Sequence, residues 1–358
     1  MGKKNKEPER TEEEKEEEEE VQEKKKSGNY FLTEKKNLDF FSSGCVVLDC
    51  ILGGGWPLKR ISNIVGDKST GKTLLAIEAC ANFYKNWPKG RIKYYEQEAA
   101  FDTDYAKVLG FPISTDEEDE EEKGIVEFIE DVSTVEELFE DLEQITQEQE
   151  KNPEPVLAII DSLDALSDKT ELESKMEDGT YGVTKPKKLS QLFRRLAKKV
   201  KTANMHIMFI SQIRDKIGVR FGEKYSRSGG HGLDFYASQV IWLSEIKKIK
   251  TVSKKIERVT GIEVQAKCKK NKVWPPFRIC EFPIMFYYGV DDVIASLNWL
   301  KEIKALDELG ISEKEIRTVA ETIKDPENGK ELKQELDRTV TRLWYQIESD
   351  FMPKFKKY

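Results

Sequence analysis

Gly66-Asp67-Lys68-Ser69-Thr70-Gly71-Lys72-Thr73 fits the pattern G-x-x-x-x-G-K-[ST], and it lies between a strand-like Ile61 to Val65 and a helical Leu74 to Phe83. Chemistry on a phosphate follows from those residue types. Glycines let backbone N–H groups turn inward around phosphate oxygens, and the following helix adds its positive end. Lys72 then reaches the terminal phosphates and Thr73 offers a hydroxyl to Mg²⁺, so nucleotide binding is the first expectation. Hydrolysis also needs a base or a polarised water. Neither histidine, His206 or His231, is suitably placed, so the base is a carboxylate. Glu98 follows the strand after the phosphate-loop helix, and a parallel sheet brings it to the same edge as Lys72. Glu96 competes with it for that role.

The elements that must position these groups alternate. Ile92 to Tyr95 reads as a strand, Tyr105 to Leu109 as a helix, Ile125 to Ile129 as a strand and Val135 to Ile145 as an acidic amphipathic helix. Val156 to Ile160 is an uninterrupted apolar run, as expected of a parallel strand buried on both faces. It delivers Asp161 at its carboxyl end as the candidate holder of Mg²⁺ or its water. Leu189, Leu192, Phe193, Leu196 and Val200 keep helical spacing, with Lys187, Lys188, Arg194, Arg195, Lys198 and Lys199 elsewhere on that helix, where they can reach a polyanion. Met205 to Ile210 is another buried strand, and strands follow at Ser238 to Leu243, Ile262 to Cys268 and Arg278 to Phe286.

Between Asp215 and Leu233 stand five glycines, four basic residues and two aromatics with no sustained periodicity. A mobile loop of that composition suits single-stranded nucleic acid: cations for phosphates, flat faces for bases and glycine for close backbone approach. Gln212 sits at the strand end just before it, placed to sense the γ-phosphate on one side and the loop on the other.

Composition bounds the rest. The chain has 358 residues, 35% of them charged, and a formal net charge of -8. The acid is concentrated in Glu12 to Glu20 and Asp116 to Glu122, while basic residues cluster in Lys185 to Lys201, Arg214 to Arg227 and Lys247 to Lys272. An electrostatic footprint follows local distribution, so nucleic acid is not excluded. No apolar run is long enough for a bilayer, and no signal peptide is visible, so a cytoplasmic protein without membrane partners is expected. The five cysteines form no C-x-x-C pair and read as buried thiols of a reducing compartment. Three segments are expected: a charged, disordered tail over 1–28, an α/β core over 29–289 and a small helical domain over 290–358.

The stretch Ser211 to Gly222, SQIRDKIGVRFG, followed by Ser228 to Ser238, SGGHGLDFYAS, resembles the second DNA-binding loop of the bacterial RecA recombinases. The resemblance runs from about Leu38 to Gly289. It includes Ser43-Gly44, Leu48-Asp49, Glu98 to Asp102, Ile160-Asp161-Ser162 and Lys267-Cys268-Lys269-Lys270-Asn271-Lys272 followed by Pro276-Phe277. It implies a P-loop ATPase fold with a mostly parallel twisted sheet. It also implies helical filaments of the chain on single-stranded DNA, formed with ATP and Mg²⁺ and pairing that strand with homologous duplex.

By the same resemblance Glu98 activates the attacking water, Asp102 and Tyr105 contact the adenine, and Gln212 couples the γ-phosphate to the DNA loops. Lys270 and Lys272 act in trans on a neighbour's ATP. Glu173 to Pro186 forms a first DNA loop, with Lys187 and Arg194 on phosphates. Arg214, Lys216, Gly218, Arg220, Arg227, Gly229 and Gly230 belong to the second loop, and Ile217 wedges between base triplets. The sequence departs from the family at its polar N-terminus, at the acidic insertion Asp116 to Glu122 and at its basic end, Met352 to Tyr358, and so reads as a divergent member of bacterial or phage origin. Two rivals share the phosphate loop: a hexameric helicase of the same fold, and a nucleotide-dependent assembly protein without strand exchange.

Overall fold

The computed structural model describes residues 38–98, 101–113, 125–167, 184–215, 225–226 and 230–355. Its strands are β1 (Phe40–Phe41), β2 (Trp56–Pro57), β3 (Arg60–Gly66), β4 (Arg91–Glu96), β5 (Val126–Ile129), β6 (Val156–Asp161) and β7 (Met205–Gln212). They continue as β8 (Arg214–Asp215), β9 (Tyr225–Ser226), β10 (Gln239–Ser253), β11 (Ile256–Asn271), β12 (Ile279–Met285) and β13 (Gly289–Val290). The helices are α1 (Val46–Leu52), α2 (Lys72–Asn86), α3 (Thr103–Val108), α4 (Val135–Glu148), α5 (Thr184–Lys199), α6 (Gly230–Tyr236), α7 (Asp292–Glu302), α8 (Ile316–Ile323) and α9 (Lys330–Asp350).

Nine strands form one sheet in the order β13-β12-β11-β10-β3-β7-β6-β4-β5. From β10 to β5 neighbouring strands are parallel; β10, β11, β12 and β13 pair antiparallel. Both faces of the parallel part are covered, which is why β6 can be apolar throughout. Successive side chains feed opposite layers. Leu157, Ile159, Met208 and Ile210 enter a cluster with α1, α2 and the C-terminal helices, while Ala158, Ile160, Ile207 and Phe209 enter one with α4, α5 and α6. All five cysteines are buried and unbridged. Among the described residues no helix is long and apolar enough to cross a membrane.

Three expectations change. β10 and β11 are far longer than the apolar runs predicted: beyond Leu243 they form a two-stranded ribbon, mostly exposed, that turns at Lys254-Lys255. The glycine-rich stretch is not a loop throughout, because β8 pairs with β9 and α6 begins at Gly230. The basic helix α5 turns three of its cations inward to α4: Lys188 bonds Glu136 at 2.8 Å, and Arg195 and Lys199 bond Glu143 at 2.8 and 3.0 Å.

Candidate active site

Parallel register gathers the chemistry at the carboxyl ends of four adjacent strands. Gly66 of β3 pairs with Gln212 of β7, and Glu96 of β4 pairs with Asp161 of β6. Ligands of open α/β sheets bind outside this edge. The phosphate loop leaves β3 there and enters α2 through a left-handed Gly71 (φ 86°), where a Cβ would collide with Ile284 of β12. Ser69 is also left-handed, with φ 57°. Thr70 Oγ1 and Lys72 Nζ both donate to the Asp67 carbonyl, at 2.9 and 2.7 Å. The lysine is therefore folded over the loop whose phosphates it would serve. Burial lowers its pKa, while Asp161, Glu98, Asp67 and Asp164 act in the opposite direction.

Thr73 Oγ1 donates to Asp161 Oδ2 at 2.7 Å, and Tyr94 of β4 donates its hydroxyl to the same oxygen at 2.9 Å. Burial raises the pKa of Asp161, and the bonds from Thr73 and Tyr94 oppose that rise. A hydroxyl and a carboxylate side by side suit a hard divalent cation such as Mg²⁺, which takes its remaining ligands from phosphate and water. Among the described residues no group of three or more His, Cys, Asp and Glu is arranged to hold a metal without such help.

Glu98 lies past β4 and its Oε1 accepts from Ser162 Oγ at 2.7 Å and from Gln212 Nε2 at 2.6 Å. Its own N–H donates to Glu96 Oε1 at 3.2 Å, so Glu96 is a buried prop beneath Glu98. The backbone N–H of Gln212 donates to Asp164 Oδ2 at 2.8 Å. Glu98, Gln212, Lys72, Thr73 and Asp161 thus share one edge of the sheet.

Other expected residues lie elsewhere. Asp102 caps α3 by accepting the N–H of Tyr105 at 2.9 Å, beside a cavity of about 560 Å³ lined by Phe101, Thr103, Phe128, Glu130 and Asp131. Lys270 is level with Asn63, three residues before Gly66 along β3, because both pair with Val240. At about 3.3 Å per residue that is roughly 10 Å short of the phosphate edge. Its Nζ donates to the carbonyls of Asp234 and Phe235 at 2.5 and 2.6 Å, at the end of α6. Burial and the neighbouring Lys272 bring its pKa down to about 8. Lys272 is lowered as well, chiefly by burial. Arg194 is exposed on α5. Lys187 lies on the same helix, Arg214 on β8 and Gly230 at the start of α6. Lys216, Ile217, Gly218, Arg220, Arg227 and Gly229 lie outside the described residues, as do the acidic runs and most of Glu173 to Pro186.

Sequence reasoning did not find Tyr94 or Asp164. Tyr94 reads as one more apolar strand residue, and the one available signal for Asp164 is its place two residues after Ser162, in the turn that leaves β6.

A phosphate loop on a doubly covered parallel sheet, with an acid from the next strand but one touching its threonine, defines a P-loop nucleotide-binding core. A family model described as the RecA N-terminal domain matches residues 22–291. Protein RecA of Rippkaea orientalis is 32% identical over 276 residues, 77% of this chain and 73% of that protein. Protein RecA of Legionella pneumophila is 33% identical over 279 residues, 78% of this chain and 74% of that one. The chain belongs to the RecA family, and it is a recombinase and a DNA-dependent ATPase.

Proposed function

We propose that the chain polymerises as a helical filament on single-stranded DNA with ATP and Mg²⁺, and pairs the bound strand with homologous duplex in the cytoplasm. The observation that carries this reading is the 2.6 Å bond between Gln212 and Glu98. It ties the carboxylate beside the phosphate loop to the strand end from which the glycine-rich, basic segment departs.

In this reading the Gly66 to Thr73 backbone cradles the phosphates, Lys72 neutralises them, and Thr73 and Asp161 hold Mg²⁺, which supplies charge neutralisation at the phosphates when bound. Glu98 accepts a proton from the attacking water. With its Oε1 shared by Ser162 and Gln212, that carboxylate is restrained, and Gln212 frees it by turning toward the nucleotide. Asp102 and Tyr105 bound the base site. Lys270 and Lys272 serve a neighbouring subunit's nucleotide, a reading supported by their distance from the phosphate loop of their own chain. Lys187, Arg194, Arg214, Lys216, Arg220 and Arg227 carry phosphate contacts, while Gly218, Gly229 and Gly230 let the backbone approach and Ile217 separates bases.

The test is a strand-exchange assay with ATP, paired with electron microscopy of the complexes. Joint molecules and open helical filaments support the proposal. Closed rings favour a helicase, and filaments that form without DNA and yield no joint molecules favour an assembly protein; either outcome overturns it.

A further inference from the structure

A strand inside a parallel sheet directs its amides alternately to the neighbour on either side. β7 outruns β6: their pairing stops at Phe209 opposite Ile160, yet β7 continues to Gln212. On the β3 side the ladder is complete, with Gly66 in register with Gln212 and the Ile213 N–H donating to the Gly66 carbonyl at 3.2 Å. On the other side the last backbone bond is the Leu163 N–H to the Ile210 carbonyl, at 3.3 Å. The Gln212 N–H points to that same side, two residues on, past the end of β6. A side chain takes the absent strand's place: Asp164 Oδ2 accepts the Gln212 N–H at 2.8 Å. Gln212 is thus held at its backbone by one acid and at its amide tip by another, Glu98.

We propose that Asp164 is a positioning residue for ATP hydrolysis. Its carboxylate pins the backbone of Gln212 as a pivot, so that the side chain alone swings, and a pull on the chain beyond residue 213 reaches Glu98 instead of fraying the end of β7. An anionic acceptor suits this task, because charge-assisted bonds to a backbone N–H are the stronger kind. Fraying is the default for a strand end with one neighbour missing. The inference rests on Gln212 acting as the coupler between DNA and hydrolysis.

Asp164→Ala, Asp164→Asn and Gln212→Ala in the full chain separate the possibilities, read by ATP turnover with and without single-stranded oligonucleotide and by hydrogen exchange of the Gln212 amide. Asn keeps an oxygen acceptor and drops the charge that acts on Lys72. Asp164→Ala is expected to lower DNA-stimulated kcat about tenfold or more, the loss of one charge-assisted bond. The KM for ATP should move by less than about threefold. The Gln212 amide should exchange faster in the Ala variant, and Asn, a neutral and weaker acceptor, should restore both readings in part. Failure of Asn to rescue assigns the effect to charge on Lys72 and overturns the pivot. Full stimulation in Asp164→Ala alongside its loss in Gln212→Ala overturns the pivot and leaves the coupler standing. Normal stimulation in Gln212→Ala removes the coupler, and the pivot with it.

Discussion

Glu78 lies on α2, the helix that leaves the phosphate loop, with its carboxylate beneath the β12–β13 turn. It accepts the Val290 N–H at 2.8 Å, and a Cβ at either Gly44 or Gly289 would collide with its oxygens. Burial pushes its pKa from 4.5 to about 8; Asp292 adds to the rise, while the Val290 bond and Lys85 oppose it. The folded chain therefore keeps this proton up to about pH 8, whereas the unfolded chain releases it near 4.5. Between those limits the unfolded state holds fewer protons, so stability falls as pH rises; outside them the group contributes no slope. From pH 5 to pH 8, at about 1.36 kcal/mol per pH unit, the ceiling on this loss is about 4 kcal/mol. Glu78→Gln keeps an acceptor for Val290 and removes the titration. The stability of the variant relative to the wild type should then grow with pH by up to about 4 kcal/mol over that range, and level off above it. Urea unfolding of both proteins at pH 5, 7, 8 and 9, followed by tryptophan fluorescence, measures the difference. Profiles parallel within about 0.5 kcal/mol, the usual scatter of a surface change, would refute the reasoning.

Glu98→Gln should retain ATP binding and lower turnover by about 10²- to 10⁴-fold, measured as phosphate release beside nucleotide affinity; unchanged turnover removes its role as base. Lys270→Ala should leave ATP binding by the isolated subunit intact and suppress DNA-stimulated hydrolysis. An equal loss in subunit binding defeats the assignment in trans. Tyr94→Phe deletes a bond that holds the pKa of Asp161 down, so the acid limb of the pH–rate profile should move to higher pH, by about one unit for one hydrogen bond. An acid limb that stays in place shows that Tyr94 does not tune Asp161.

The strands of the parallel sheet were legible because each is a short apolar run closed by a polar residue, and those closing residues are the ones the sheet aligns. Asp161 and Gln212 could be placed on one edge from that pattern, with Gly66 just past the apolar run of β3 and Glu98 two residues beyond the Glu96 that closes β4. The β10–β11 ribbon was not legible, since it is solvated on both faces and carries no periodic apolar signal. Gly230 and Gly232 spoke against a helix, because glycine is a poor helix former. Packing overrides that preference: a Cβ at Gly232 would run into Ser190 of α5, so the two helices meet closely only with glycine there. The ion pairs of α5 with Glu136 and Glu143 join residues about fifty positions apart, which no local pattern reveals. Tyr94 and Asp164 gain their partners in the same way, across strands that meet when the sheet assembles.

The C-terminal helices close the same apolar cluster that lies under α1 and α2: Leu297, Leu300, Leu336, Val340 and Trp344 share it with Cys50, Ile77 and Phe282. Arg278, just before β12, is clasped by Glu348 of α9 at 2.5 and 2.9 Å, and Tyr345 meets the ring of Trp274 edge-on. Trimming the polypeptide at position 291, where the family match stops, would strip the lid from this oily layer and uncover Phe282 and its neighbours. The shortest soluble fragment should therefore extend at least through α9, and a tag or fusion partner is better attached after Lys354 than at the end of the matched segment.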